Sequence, residues 1–222
     1  MAAFQSAILL LGITLGVGLG YAQVAEPRQT LESVNWWGNG PVFAVAIGVA
    51  LALGMLGTVQ WLKRMCWAWF LEIETILDQL LVPSLRRCRI WQLFVLALLA
   101  GVGEELLFRW AIQGWLELFG HWLLADRVLA EDPFLIASHS LVFIGAAIIT
   151  AVLFGLCHAV TRAYWILAAV MGLIFSLVVV GGGGLVGAMI AHGLYDFLAF
   201  LWLRQGSGEK RVAGAENEYT VG

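Results

Sequence analysis

The sequence predicts an all-α, polytopic membrane helix bundle of about six transmembrane helices plus one interfacial amphipathic helix. Three observations predict it. Of 222 residues, 61% are hydrophobic and only 12% charged, with a mean hydropathy of +0.89, a balance too apolar for a soluble domain of this length. The apolar residues gather into runs long enough to cross a hydrocarbon layer. The basic residues stand in short groups at the ends of those runs, as loops facing the cytoplasm do.

Phe4 to Tyr21 is the first run, weakened by Gly12, Gly16, Gly18 and Gly20. No Lys or Arg precedes it, so it reads as an uncleaved anchor rather than a signal peptide. The stretch Glu26-Pro27-Arg28 through Trp36-Trp37-Gly38-Asn39-Gly40-Pro41 is a polar, turn-rich loop ending in an interfacial tryptophan pair. Val42 to Leu62 is the second span, stopped by Lys63-Arg64. Met65 to Val82 carries Glu72, Glu74 and Asp78, which disfavours spanning. Phe70, Ile73, Leu77, Leu80 and Leu81 recur there at helical spacing, so this segment is expected to lie on the membrane surface. The third span opens at Ile90 and runs as a helix to about Leu124.

Ala125 to His139 is a second polar loop. A fourth span covers Ser140 to about Val160 and a fifth Tyr164 to Val180. Gly181 to Gly184 form a tight turn into a sixth span, Leu185 to Leu203. Gly183 and Gly187 are expected to let the fifth and sixth spans approach closely. Three regions follow: 1–89, an N-terminal two-helix membrane segment with the interfacial helix; 90–204, a membrane core; and 205–222, a polar tail expected to be disordered.

With six alternating spans, Lys63, Arg64, Arg86, Arg87, Arg89, Arg162, Arg204, Lys210 and Arg211 share one side, whereas Arg28 and Arg127 face the other. Both termini are therefore expected to be cytoplasmic, in the plasma membrane or an internal membrane of a prokaryote. The net charge of −3 and the absence of a basic face argue against nucleic acid as a partner. Cys66, Cys88 and Cys157 are an odd number with neither a CxxC motif nor zinc-finger spacing, which argues against disulfides and structural zinc.

Chemistry concentrates at Ala100-Gly-Val-Gly-Glu-Glu-Leu-Leu-Phe-Arg-Trp110, inside the third span. A charge at the bilayer centre costs about 2.5–3.5 kcal/mol, so Glu104, Glu105 and Arg109 facing lipid together would cost about 7–10 kcal/mol. They must face protein or water. Glu105 and Arg109 are four apart, on one helix face, with the acid N-terminal. Glu104 points about 100° away and has no partner on its own helix. The fourth span adds His158 and the sixth adds His192 and Asp196.

Each group has an ordinary explanation: a core histidine bonded to a carbonyl, a polar pair gluing helices, a structural ion pair. Six ionisable groups together demand a shared aqueous cavity.

Glu104-Glu105-x-x-x-Arg109, Phe154-x-x-x-His158 and His192-x-x-x-Asp196, in that order, resemble the three signature motifs of the CAAX-protease and bacteriocin-processing family, also called Abi, over roughly Ile90 to Leu203. The resemblance implies an intramembrane endopeptidase. Glu104 then resembles the general base that activates water, with His158 helping to hold that water. His192 and the residue at 196 resemble the pair that stabilises the oxyanion, with Glu105 and Arg109 in support. The chemistry agrees, because peptide hydrolysis needs a base within reach of a water and a donor aimed at developing negative charge.

Two positions depart from the family pattern. Asp196 stands where asparagine is frequent, and a carboxylate there would orient His192 or be protonated. Trp110 stands where glycine commonly follows the arginine and is expected to narrow the cavity. Depth also poses a question: Glu104 lies about 21 Å along its helix from Ile90 and His192 about 18 Å from Arg204, but His158 only about 6 Å from Arg162. Either the fourth helix continues past Arg162 or a short loop dips into the protein.

Three functions compete. The first is a metal-independent endopeptidase with no cofactor, acting on a membrane-associated protein or peptide substrate near the cytoplasmic side of the bilayer. The second places a divalent metal such as zinc on Glu104, His158 and His192, against which the absence of HExxH counts. The third is a non-enzymatic carrier or scaffold retaining the buried acids, against which the absence of an internal repeat counts.

Overall fold

The computed structural model describes the backbone of residues 2–25, 35–124 and 133–219, and side chains over 4–19, 35–124 and 140–205. Every regular element among them is helical. In chain order these are α1 (Ala2–Ala25), α2 (Pro41–Arg64), α3 (Ala68–Leu80), α4 (Val82–Arg87), α5 (Ile90–Glu105), a π-helical segment (Leu106–Ile112), α6 (Gln113–Leu124), α7 (Pro133–Cys157), α8 (Arg162–Val178), a second π-helical segment (Val179–Gly183) and α9 (Gly184–Tyr219). Of the expected loops over 26–41 and 125–139, residues 26–34 and 125–132 lie outside the described residues, and residues 133–139, expected as loop, are instead the first turns of α7.

Four helical stretches are long and apolar enough to cross a membrane: Pro41–Arg64, Ile90–Leu124, Ser140–Cys157 and Arg162–Gln205; Phe4–Leu19 is a shorter apolar helix. The stretch 162–205 folds back on itself. Phe175 stacks on His192 with ring centroids 5.0 Å apart, whereas seventeen residues of continuous helix would separate them by about 25 Å. Gly182 makes the reversal at φ 92°, ψ 0°, a conformation costly for any residue with a Cβ. The N–H groups of Leu185 and Val186, which the start of α9 leaves without helical partners, donate to the carbonyls of Asn35 and Trp36. Asn39 N–H donates to Gly182 O at 2.7 Å. The segment before α2 thus clasps the turn between α8 and α9.

The main neighbours of α9 are α2 and α5, α7 pairs with α8, and α1 lies along α5 and the first π segment. Small residues set the closest approaches. A Cβ on Gly101 would come within 2.6 Å of Gly193 N, so α5 and α9 touch backbone to backbone. Gly183 and Gly187 serve the approach of the fifth and sixth spans, since a Cβ on them would lie 2.6 and 3.5 Å from Val178 Cγ1, and Gly187 also admits α2, whose Ala44 O would lie 3.3 Å from its Cβ.

The expected surface helix is divided. α3 ends at Leu80 and α4 restarts at Val82 with Pro83 in its first turn, where a residue lacking an N–H costs nothing. Phe70 and Ile73 of α3 are buried, and Lys63 at the end of α2 reaches both Glu74, at 2.5 Å, and the ring of Trp202. α9 continues to Tyr219, through the segment expected as a tail.

Candidate active site

Three helical regions converge on one point. α5 supplies Glu104 and Glu105 at its last two positions, the π segment supplies Arg109, the turn after α7 supplies His158, and α9 supplies His192 and Asp196. All six sequence-predicted residues meet there. The depth question is resolved by α7 ending at Cys157, so that His158 sits in the short turn before α8 and that turn reaches the level of Glu104. The π segment follows the two acids directly; π-helical turns of this kind widen a helix and recur at functional sites.

Glu105 is fully buried and engaged at both oxygens. Its Oε1 is 2.9 Å from His192 Nδ1 and its Oε2 is 3.3 Å from Arg109 Nε. The Arg109 guanidinium is buried among the rings of Phe108, Phe154 and Phe175, at 5.9, 5.0 and 5.8 Å. Ring faces attract a desolvated cation. This pair anchors one edge of His192, whose ring is fixed by its stack on Phe175.

Glu104 differs. Its Oε1 accepts a hydrogen bond from Gln5 Nε2 at 3.1 Å, and its Oε2 lies 3.6 Å from His158 Nε2 and 3.9 Å from His192 Nε2. Those separations exceed a hydrogen bond and suit groups that share a small polar molecule between them. His158 Nδ1 is 2.8 Å from Phe154 O; a carbonyl only accepts, so Nδ1 carries the proton and Nε2 is the atom offered to Glu104. Glu105 plays the same part for His192, and Asp196 Oδ2 stands 3.7 Å from the exposed edge, Nε2.

An open cavity of about 70 Å³ reaches these imidazoles, lined by His158, His192 and Asp196 together with Tyr164, Met171 and Phe175. One water needs about 10–15 Å³, so the space suffices for a water beside the histidines. Glu104 does not line the cavity; it is reached through the two Nε2 atoms. Among the described residues, no three His, Cys, Asp or Glu side chains form a group able to hold a metal ion.

Trp110 does not narrow this cavity. Its ring packs against Gly16 of α1 and lies 5.7 Å from the ring of Trp36, so it is taken up by α1 and does not line the cavity. Sequence reasoning missed three features. Gln5 falls inside the apolar run Phe4 to Tyr21, carries no charge and belongs to no motif. Tyr164 and Tyr195 line the cavity without belonging to a motif. A buried chain runs from Ser176 Oγ to Gln113 Oε1 and from Gln113 Nε2 to Glu117 Oε1, each 2.9 Å, which partners a third acid of the Ile90–Leu124 stretch.

A family model for Rce1-like type II CAAX prenyl endopeptidases matches residues 86–198. The matched segment contains all six site residues and leaves out α1 to α3. No curated protein and no solved structure matches the chain.

Proposed function

The chain belongs to the Rce1-like type II CAAX prenyl endopeptidases, and on that premise we propose that it hydrolyses a peptide bond of a prenylated, membrane-associated substrate with a water activated by Glu104. The supporting observation is the placement of Glu104 Oε2 between the Nε2 atoms of His158 and His192, at 3.6 and 3.9 Å. Glu104 takes the proton of the water as its oxygen attacks the scissile carbonyl. His158, fixed through Nδ1, holds that water. His192 donates Nδ1–H to Glu105 and, as the imidazolium between the carboxylates of Glu105 and Asp196, offers Nε2–H to the carbonyl oxygen as it becomes an oxyanion, where a preorganised donor is worth most. Collapse of the tetrahedral intermediate breaks the C–N bond, and Glu104 returns the proton to the leaving amine.

Asp196 sets the orientation of His192 rather than meeting the oxyanion itself, since an ionised carboxylate would repel it. The reaction uses no metal: the base, the water-holding imidazole and the oxyanion donor are all side chains of this protein. The test is release of the C-terminal tripeptide from a farnesylated peptide by the full-length protein in lipid vesicles. Glu104→Gln and His158→Ala are expected to abolish release while leaving the protein folded. Release is expected to persist after dialysis against a strong chelator. Normal turnover by well-folded Glu104→Gln protein would overturn the assignment, and chelator-sensitive turnover restored by zinc would overturn its metal independence.

A further inference from the structure

We propose that Gln5 of α1 is a positioning residue for Glu104, so that the first helix, outside the segment matched to the family, forms part of the hydrolytic site. The inference rests on the reading of Glu104 as the base. Gln5 Nε2 donates to Glu104 Oε1 at 3.1 Å across 99 residues of sequence. An ionised carboxylate has only acceptors, so the amide nitrogen is the end that must face it. With Oε1 occupied, the carboxylate cannot rotate freely, and Oε2 is presented to the two imidazoles.

The register that delivers Gln5 is built into α1. Gln5, Leu9, Gly12 and Gly16 are spaced by four, three and four residues and so share one helix face. Each of the other three meets the stretch that carries the acids. A Cβ on Gly103 would lie 3.3 Å from Leu9 Cβ, and a Cβ on Gly12 would come within 2.8 Å of Leu107 N. Gly16 seats the ring of Trp110, and Trp115 Nε1 donates to Leu15 O at 3.0 Å. Helix α1 is therefore keyed to the same backbone that holds Glu104, Glu105 and Arg109, with the Gln5 amide opposite the acid that has no partner in its own helix. The large aromatic after Arg109 is part of this key.

The experiment compares wild type, Gln5→Met, Gln5→Asn and Glu104→Gln as full-length protein in vesicles, with the farnesylated peptide as probe. Methionine keeps the length of the side chain and removes the donor; asparagine keeps the amide but withdraws it by one methylene, and covers the case in which methionine impairs folding. The expected result is a fall in kcat of about 10–100-fold, the scale associated with misplacing a reacting group by about 1 Å. KM and the melting temperature are expected to stay at wild-type values, which a merely structural role would not produce. The infrared carboxylate band of Glu104, isolated as the wild type minus Glu104→Gln difference, is expected to shift in Gln5→Met. Wild-type kcat in either folded Gln5 variant, or an unshifted band, overturns the inference while leaving Glu104 as base. Full turnover by Glu104→Gln overturns both.

Discussion

Replacing Glu105 with alanine removes the carboxylate that Arg109 and His192 share. The acid is fully buried, with Oε2 3.3 Å from Arg109 Nε and Oε1 2.9 Å from His192 Nδ1. The guanidinium it leaves behind is surrounded by Phe108, Phe154 and Phe175 and has no route to solvent. Stranding one member of a buried ion pair costs about 3–5 kcal/mol. At about 2–4 °C per kcal/mol for a chain of this size, the melting temperature is expected to fall by about 6–20 °C. Removing both charges should behave differently, because apolar replacements of similar volume are often neutral or stabilising at such sites. Glu105→Met with Arg109→Met is therefore expected to melt near the wild-type temperature, yet to remain inactive, since His192 Nδ1 has lost its acceptor. The assay is thermal unfolding of purified protein followed by tryptophan fluorescence, in parallel with peptide release. A Glu105→Ala protein that melts like wild type, or a double variant as unstable as the single one, would refute the account of this pair as a buried, mutually compensated unit.

Two other outcomes are expected. Gly101→Val places a side chain where α5 and α9 touch through backbone, 2.6 Å from Gly193 N, so it should separate the acids from His192 and abolish both folded yield and turnover; normal yield would show that the two helices are not tightly apposed. Cys66 is exposed just beyond Lys63-Arg64, the basic end of α2. The orientation expected from the basic residues puts it on the cytoplasmic side, so a membrane-impermeant maleimide should label it in inside-out vesicles and not in right-side-out cells, and the reverse pattern would invert that topology.

Much of the site was legible because charges in a hydrocarbon layer are expensive enough to be conspicuous. Glu104, Glu105, Arg109, His158, His192 and Asp196 stood out by their cost, and the four-residue spacing of Glu105 and Arg109 assigned that pair correctly before any distance was known. The all-helical membrane class was legible for a similar reason, since run length against membrane thickness is a one-dimensional test. Gln5 was not legible. A neutral amide near a helix end costs less than a charge there, so nothing in its local sequence distinguishes a solvated glutamine from one aimed at Glu104.

What the sequence by itself determined was the inventory: an all-helical membrane protein, its apolar runs, and the polar groups that had to find one another. What only the tertiary structure decided was relative height and rotation. α7 stops short at Cys157 so that His158 meets Glu104 in mid-helix, Trp110 is taken up by α1 instead of the cavity, and Gly187 admits α2 as well as α8. These outcomes depend on where one helix stops against another and on which small residues let backbones touch. Such contacts are made between segments distant in the chain, so local spacing leaves them open.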